Sequence, residues 1–457
     1  MGGLTTALFA GVQALDASEA ALNATSNNIA NANTPGYTRE VPQFSENEEN
    51  LIGQTVSGGG VTLDSIQSVR DELLNLQIQQ QTSQQSSADT QSSSLQQLQT
   101  YFGNTGNDIA SELSAFSSSL TQLSANPSNA GVQQSVLSAG QNLAQSFNNT
   151  ASGLTTAQSG ADQQVTQTVA QINTLTSQIA QLNAQLSPSV MSSQNGGTIE
   201  DQRDELVQQL SQLVGVSISQ SSDGEVITTA NGSPLVMGSQ AFQLQTTTGN
   251  NGFQQVLDSN GNNITATIQG GQLGGAIQMR DQVIPGFLNS LNTLASQFAT
   301  ALNTAQTQGY DSTGSKGQAF FTIPATNAAA GLQVALTSGS QIAVSSDGSA
   351  GSNGNVANLS AALTNTLPSG QSAAGAYANL VFDVGNAASN ASAQSTAIGQ
   401  NLLQLTNQQS SVSGVNIDEE TTNLIRYQTA YEAAARIVST IQALSTVTLD
   451  MGSSQSY

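Results

Sequence analysis

Leu8, Leu15, Leu22 and Ile29 recur every seven residues, with Leu4 and Val12 a turn away, and this spacing predicts a helix carrying one narrow apolar stripe. Ala7, Ala10, Ala14, Ala17, Ala20, Ala21 and Ala24 stand between them; alanine favours helix and lets a neighbouring backbone come close. The stripe stops in the run Asn27-Asn28-Ile29-Ala30-Asn31-Ala32-Asn33-Thr34-Pro35-Gly36-Tyr37-Thr38-Arg39, where Pro35 biases Thr34 to extended backbone and Gly36 frees a turn. A lone amphipathic helix is marginal in water, while each buried Leu or Ile is worth roughly 1.5–3 kcal/mol, so the stripe calls for a partner. The matching stripe lies at the far end, where Ile417, Leu424, Tyr427, Tyr431, Ala434, Val438 and Ile441 step by three, four or seven. Asp418, Glu419 and Glu420 occupy the first turn of that helix, where its dipole favours negative charge. Residues 1–39 and 415–457 are therefore expected to pair as a coiled coil, with the rest of the chain inserted between them.

The insert begins with 40–62, read as a linker from its acidic Glu46, Glu48 and Glu49 and the joint Gly58-Gly59-Gly60. Helical spacing then runs through Ile66, Val69, Leu73, Leu76, Leu95, Leu98 and Phe102, and again through Ile109, Leu113, Phe116, Leu120 and Leu123 to a stop at Asn126-Pro127-Ser128. A weaker stripe spans 131–148, and a strong seam of Val165, Ile172, Leu175, Ile179, Leu182 and Leu186 ends at Ser187-Pro188. Residues 192–198 read as a loop before a helix that runs to about Val214.

At Val216 the period changes to two. Val216-Ser217-Ile218-Ser219, a turn at Asp223-Gly224, and Val226-Ile227-Thr228-Thr229 predict a hairpin, and short strands are expected at 235–236, 242–244, 255–257 and 264–268. Gly270-Gly271 returns the chain to a helix that opens near Pro285 and carries Ile284, Leu288, Leu291, Phe298 and Leu302. Leu332, Val334 and Leu336 alternate and are expected to add a strand to the β module, after which 376–412 is helical again. The fold class is mainly α with an inserted β module: paired terminal helices, a discontinuous helical bundle over 63–215, 276–308 and 376–414, and a small all-β outer domain over 216–275 with 309–375.

Composition narrows the function. The 457 residues contain no Cys, His or Trp, and seven Lys plus Arg stand against 29 Asp plus Glu, a formal charge of −22. That balance argues against nucleic acid and against an anionic membrane as partners. Without Cys or His the usual metal ligands and general base are missing, no carboxylate pair is singled out by spacing, and neither a cofactor nor a catalytic site is expected. No run is apolar enough to span a bilayer, and the first residues lack the basic region of a cleavable secretory signal. Asp258-Ser259-Asn260-Gly261-Asn262 reads as a hairpin turn rather than a calcium loop, because the bidentate Glu is missing. The pairs Arg203-Asp204 and Arg280-Asp281 read as structural ion pairs.

The words at both ends carry a resemblance. Residues 27–39 resemble the N-terminal motif shared by bacterial flagellar rod, hook and hook-associated axial proteins. Gly414-Val415-Asn416-Ile417-Asp418-Glu419-Glu420, with Asn423-Leu424, Tyr427-Gln428, Ala430-Tyr431 and Arg436 behind it, is similar to the C-terminal motif of the hook-associated protein 1 (FlgK) family. Ala10-Gly11-Val12, Ala434 and the polar tail after Leu449 depart from that family's usual residues. The resemblance implies a structural protein at the hook-filament junction, secreted uncleaved through the flagellar type III export channel. It implies self-association into a ring or tube, contact with the hook protein and with a second hook-associated protein on the filament side, and an export chaperone on the C-terminal helix. The assembly interface expected on this reading is Leu8, Leu15, Leu22, Ile29, Asn31, Asn33, Pro35, Gly36 and Tyr37, with Ile417, Leu424, Tyr427, Tyr431, Val438 and Ile441. Another axial subunit of the hook, rod or filament, and more distantly an exported adhesin, fit the same terminal stripes.

Overall fold

A computed structural model of the chain describes residues 2–47, 50–52, 55–57, 59–103, 108–186, 194–221 and 224–453. Glu48, Glu49, Gly58, Ser187-Pro188, Asp223 and the end of the polar tail, each part of an expectation above, lie outside the described residues. In chain order the elements are α1 (Gly2–Asn31), β1 (Glu40–Glu46), β2 (Asn50–Ile52), β3 (Thr55–Ser57), β4 (Val61–Ser68), α2 (Glu72–Phe102), α3 (Ile109–Ala125) and α4 (Ala130–Gln185). Then come α5 (Gln194–Leu213), β5 (Val216–Ser221), β6 (Gly224–Thr229), β7 (Pro234–Met237), β8 (Gln240–Ala241), β9 (Gln245–Thr248), β10 (Gln254–Leu257) and α6 (Gly271–Gln278). A π-turn, Met279–Val283, leads into α7 (Ile284–Gln308), followed by β11 (Phe321–Thr322), β12 (Gln333–Val334), α8 (Val356–Thr364), α9 (Ala373–Ser413) and α10 (Ile417–Ser453). The chain is mainly helical with small β-sheets, as its two hydrophobic periods predict.

Residues 40–62, expected as a linker, carry strands. β1 pairs antiparallel with β4, Glu40 opposite Ser68 and Glu46 opposite Val61, and β2 pairs with β3. Ile66, expected on a helix, is a buried residue of β4. The physical signal was the alternation of Val61, Leu63 and Ser65 with Thr62, Asp64 and Ile66, a period of two that the glycines beside it obscured. This ribbon lies along α1: Asn47 Nδ2 donates to Gln13 Oε1 at 3.0 Å. At Gly60, whose φ is +85°, a Cβ would stand 2.7 Å from the same oxygen.

Side-chain caps start the long helices. Asp71 accepts the amide of Leu74 at 3.0 Å, Asp108 that of Ser111 at 2.8 Å, and Asn129 that of Gly131 at 2.9 Å. The two stripes over 131–148 and 165–186 lie on one helix, α4, of 56 residues, because nothing between them stops a helix. α4 is thus the spine of the molecule. Its first half buries Val136, Leu143, Phe147 and Leu154 against α2, α3 and α7. Its second half buries Val165, Ile172 and Ile179 against α5, α6 and the strands.

The four-stranded sheet runs β5-β6-β7-β8, all neighbours antiparallel, and β9-β10 is a separate hairpin. Two expected strands are not strands: β8 ends at Ala241 before 242–244, and 264–268 is a 3-10 turn at Thr265–Thr267. The segment 309–375, assigned above to the β module, packs elsewhere. Phe320, Phe321, Leu332, Leu336 and Val344 belong to the helical cluster, and β12 pairs with β11 alone. Aromatic contacts account for this, since Phe320 meets Phe116 edge to face at 5.6 Å and Phe321 at 4.9 Å, and Phe321 meets Phe298 at 5.8 Å.

One buried cation fastens the strands to the spine. Arg280, in the π-turn and 1% exposed, donates to Asp162 of α4 at 2.7 Å, to the carbonyl of Gln254 in β10 at 2.6 Å, and to its neighbour Asp281 at 2.7 Å. Asp162 in turn accepts the amide of Gln254 at 2.8 Å. The carbonyl of Arg280 accepts from Gln158 of α4 at 2.8 Å, so a side chain from outside the helix bonds a backbone group of the π-turn.

Candidate functional site

The ends of the chain meet: α1 and α10 lie against each other. The buried face of α1 is made of small side chains, Gly11, Ala17, Ala21, Ala24 and Thr25, closing on Asn28. Opposite stand Glu420, Ala434 and Ile441, all buried. A Cβ at Gly11 would be 2.9 Å from Val438 Cγ2, so the helices approach as closely there as a glycine allows. The expected Leu8, Leu15, Leu22 and Ile29 are each only half-buried, on the flank of this contact rather than in it, and Leu424, Tyr427 and Val438 are likewise half-buried. Ile441 is buried, whereas Ile417 and Tyr431 are exposed. Close packing explains the shift: backbones that approach through alanine leave no room for leucine between them, and the larger stripe is displaced to one side. Replacing Ala21, which is fully buried, with Leu is expected to destabilise the pair by about 1–3 kcal/mol through overpacking. Faster hydrogen exchange in both α1 and α10, with the exchange of α4 unchanged, is the check.

Beyond the pair lies a joint built by the polar run. Helix α1 ends at Asn31, and the chain turns through Thr34 N to Asn31 O (2.8 Å), Thr34 Oγ1 to Asn31 Oδ1 (3.1 Å), and Gly36 at φ +79°. Asn33, Pro35 and Gly36 are exposed, and Tyr37 is half-buried. Asn28 ties the joint together. Its Nδ2 donates to the carbonyl of Glu40 at 2.8 Å and to Glu420 Oε2 at 3.1 Å. Its Oδ1 accepts the amide of Glu40 and the hydroxyl of Tyr37, both at 2.9 Å. One side chain therefore bonds the end of α1, the returning strand and the start of α10.

Residues 38–40 then grip the helical body. Thr38 donates its amide (3.0 Å) and its hydroxyl (2.7 Å) to Asp201 of α5, and the amide of Arg39 donates to the carbonyl of Ser413 in α9 at 2.9 Å. Arg39 pairs with Glu419 at 3.0 Å. Arg70 pairs with Asp201 at 2.7 Å, with Glu200 at 3.4 Å and with Asp204. Burial and the negative neighbours Glu40, Asp201 and Glu420 push the Tyr37 hydroxyl up, so it stays a hydrogen-bond donor. Burial also raises Asp201, against the opposing pull of Thr38 and Arg70.

Tyr37 was legible as a site residue; Asn28, Glu40, Arg70, Asp201 and Glu420 were not singled out. Asn28 and Glu420 stood inside the quoted motifs, and the signal for both was their position: polar residues continuing the small or apolar face of their helices. Asp201 and Arg70 carry no such local sign. The pair Arg203-Asp204 does meet, at 3.1 Å, and Arg203 also reaches Glu225 of β6 at 3.1 Å.

A cleft of about 660 Å³ opens between the turn 31–38 and α2, α5 and α9. Asn33, Asn75, Gln79, Glu205 and Gln409 are among the residues lining it, with Thr38 and Asp201 of the joint at its edge. Among the described residues no group of three or more His, Cys, Asp or Glu could hold a metal ion, and no helix is long and apolar enough to cross a membrane. The arrangement can hold helices in register.

Sequence comparison bears on both the ends and the body. Residues 8–38 match the model of the flagella basal body rod proteins, and residues 407–451 that of the flagellar basal body rod FlgEFG protein C-terminal region. Paired ends of this kind around a helical body define a structural protein of the bacterial flagellum. Residues 95–321 match the model of the flagellar hook-associated protein FlgK helical domain. Flagellar hook-associated protein 1 of Bacillus subtilis is 31% identical over 491 residues, covering 95% of this chain and 96% of that protein. The same protein of Salmonella typhimurium is 27% identical over 534 residues, covering 94% and 97%. The chain belongs to the flagellar hook-associated protein 1 family. A solved structure of the flagellar hook junction protein FlgK from Burkholderia pseudomallei shares the fold, with a TM-score of 0.67 at 19% identity over 74% of this chain and all of that one.

Proposed function

We propose that this flagellar protein joins the hook to the filament, and that copies of it assemble into a ring or tube through terminal helices paired as a coiled coil. The observation that carries the reading is a second apolar seam on α10. Ala430, Ala433, Ile437, Leu444 and Val447 step by three, four or seven along the flank of the contact with α1, where Ile437 meets its edge at Gly11, and all are exposed. Ile437 is 53% exposed, Leu444 51% and Val447 52%, so this flank of the helix is open to solvent in the single chain. Exposed aliphatic side chains repeating along a helix fit a neighbouring helix of the same assembly. On α1, Phe9 is likewise 69% exposed.

On this reading the interface is made by Leu8, Leu15, Leu22, Ile29, Leu424, Tyr427, Tyr431, Val438 and Ile441 together with that seam. Asn31, Asn33, Pro35, Gly36 and Tyr37 set the angle to the body. The terminal helices with the 40–68 ribbon form one unit, the helices with 309–375 a second, and 216–275 a third. The hook protein and a second hook-associated protein are the neighbours along the axis. The chain is secreted through the flagellar export channel, and a chaperone covers the C-terminal helix beforehand. Deleting Ile417–Ser453 tests the proposal. Cells producing the shortened chain are expected to make hooks and to lose both the chain and the filament from them. Filaments of normal number and length would contradict it.

A further inference from the structure

The joint contains a carboxyl that the assembly reading does not use. Glu40 is buried, 4% exposed, and its Oε2 meets no hydrogen-bond partner among the described residues. Its backbone is fixed at both polar atoms by Asn28, so the side chain is held in the joint between the terminal pair and the helical body. Every element packed around it contributes to its surroundings. From α1 comes Asn28, and from the turn just before its own strand Tyr37 and Arg39. From the end of β4 comes Ser68, whose Oγ is also buried without a hydrogen-bond partner among the described residues, and from just beyond it Arg70. From α5 come Gly197 and Asp201, and Glu420 of α10 stands on the other side of Asn28. The packing is tight: a Cβ at Gly197 would lie 2.6 Å from Ser68 Oγ and 2.8 Å from Glu40 Oε1.

The charges do not balance. Arg70 is the nearest cation, and it is already shared by Glu200, Asp201 and Asp204. Arg39 is engaged by Glu419. We propose that this joint is a pH-sensitive hinge, locked while Glu40 carries a proton and loosened when Glu40 ionises against Asp201. Thr38 is the coupling element. Two of its donors hold Asp201, two residues from Glu40, so a charge on Glu40 repels the same carboxylate that anchors the strand to α5. When the hinge opens, Glu40 reaches water and the terminal pair is free to pivot on the body.

Burial, then the Asp201 charge, raise the Glu40 carboxyl to about 7, against the pull of Arg70. The sign follows from linkage. An acid that binds its proton more tightly in the closed joint stabilises that joint below the ordinary carboxylate range, and the advantage is lost as the pH rises through about 7. With an open-state value near ~4.5, the opening equilibrium grows roughly 30-fold between pH ~5.5 and ~8.5.

Hydrogen exchange of the full chain tests this at the amides that cross the joint: Thr38 to Asp201, Arg39 to Ser413 and Glu40 to Asn28. After correction for base-catalysed chemical exchange, their protection is expected to fall roughly 30-fold over that pH range in the native chain. It is expected to stay level in Glu40→Gln, which keeps the shape and cannot ionise. A native chain with level protection, or a Glu40→Gln chain that follows the native curve, would overturn the proposal. The carbon resonance of the Glu40 carboxyl, assigned by its loss in Glu40→Gln, reads the ionisation in the native chain whatever the variant does to packing. A midpoint near ~7 supports the hinge and one below ~5 overturns it.

Discussion

Replacing Asn28 with Leu is expected to unseat the terminal pair from the body while leaving both buried clusters folded. Asn28 is 1% exposed and makes four hydrogen bonds, to both backbone polar atoms of Glu40, to Glu420 and to Tyr37. Leucine has a similar size but no polar atoms. Each buried group left without a partner costs roughly 1–3 kcal/mol, more for a carboxylate such as Glu420. Since about 1.4 kcal/mol is a tenfold change in an equilibrium, the protection of the Glu40 amide is expected to fall well over tenfold. Amides of α4, which shares no atom with the joint, should exchange as in the native chain. In cells the variant is expected to be made at normal level and to be absent from isolated hooks. Normal incorporation together with a native exchange pattern would show that the Asn28 network is incidental.

The second large effect is expected at Arg280. Arg280→Met keeps a long apolar stem but removes the guanidinium that Asp162, Asp281 and the carbonyl of Gln254 share. Breaking a buried ion pair by removing one partner typically costs about 3–5 kcal/mol, because the other charge stays behind unpaired. Asp162 is the residue left exposed to that cost, since it is held inside by the amide of Gln254 as well. Denaturant unfolding should therefore show a lowered midpoint for the cluster that holds α5, α6 and the strands. The doubly altered chain Arg280→Met with Asp162→Leu should recover part of the loss, since it removes the stranded charge. No change in midpoint would mean that the strands are held by apolar contact alone.

Much of this architecture could be read from spacing. The stripes at both ends, the alternation after Val216 and the stripes of α3 and α7 each correspond to an element with the predicted period. What could not be read has physical reasons. Glycine and acidic residues around 46–60 look like a linker in composition, yet two alternating runs beside them pair as a ribbon, and pairing is a contact between distant residues that local pattern does not contain. The affiliation of 309–375 was decided by the rings of Phe320 and Phe321 finding Phe116 and Phe298, again a matter of distant partners. The interface residues were chosen for size, whereas the contact between α1 and α10 runs through Gly11, Ala17, Ala21 and Ala24. Alanines that were noted as permitting close approach turned out to be the approach itself. Asn28 stood in the motif and was passed over because polar residues near a helix end ordinarily face water.

In the finished flagellum the two ends of one chain are expected to pair with each other. The absence of cysteine from the sequence makes this directly measurable. Cysteines placed at Gly11 and Val438, which face each other across the pair, would be oxidised in isolated flagella after assembly and the products separated by size. A bridge formed within single chains is expected, with flagella assembled normally beforehand. A bridge found only between different chains, or none under conditions that oxidise exposed thiols, would contradict this pairing.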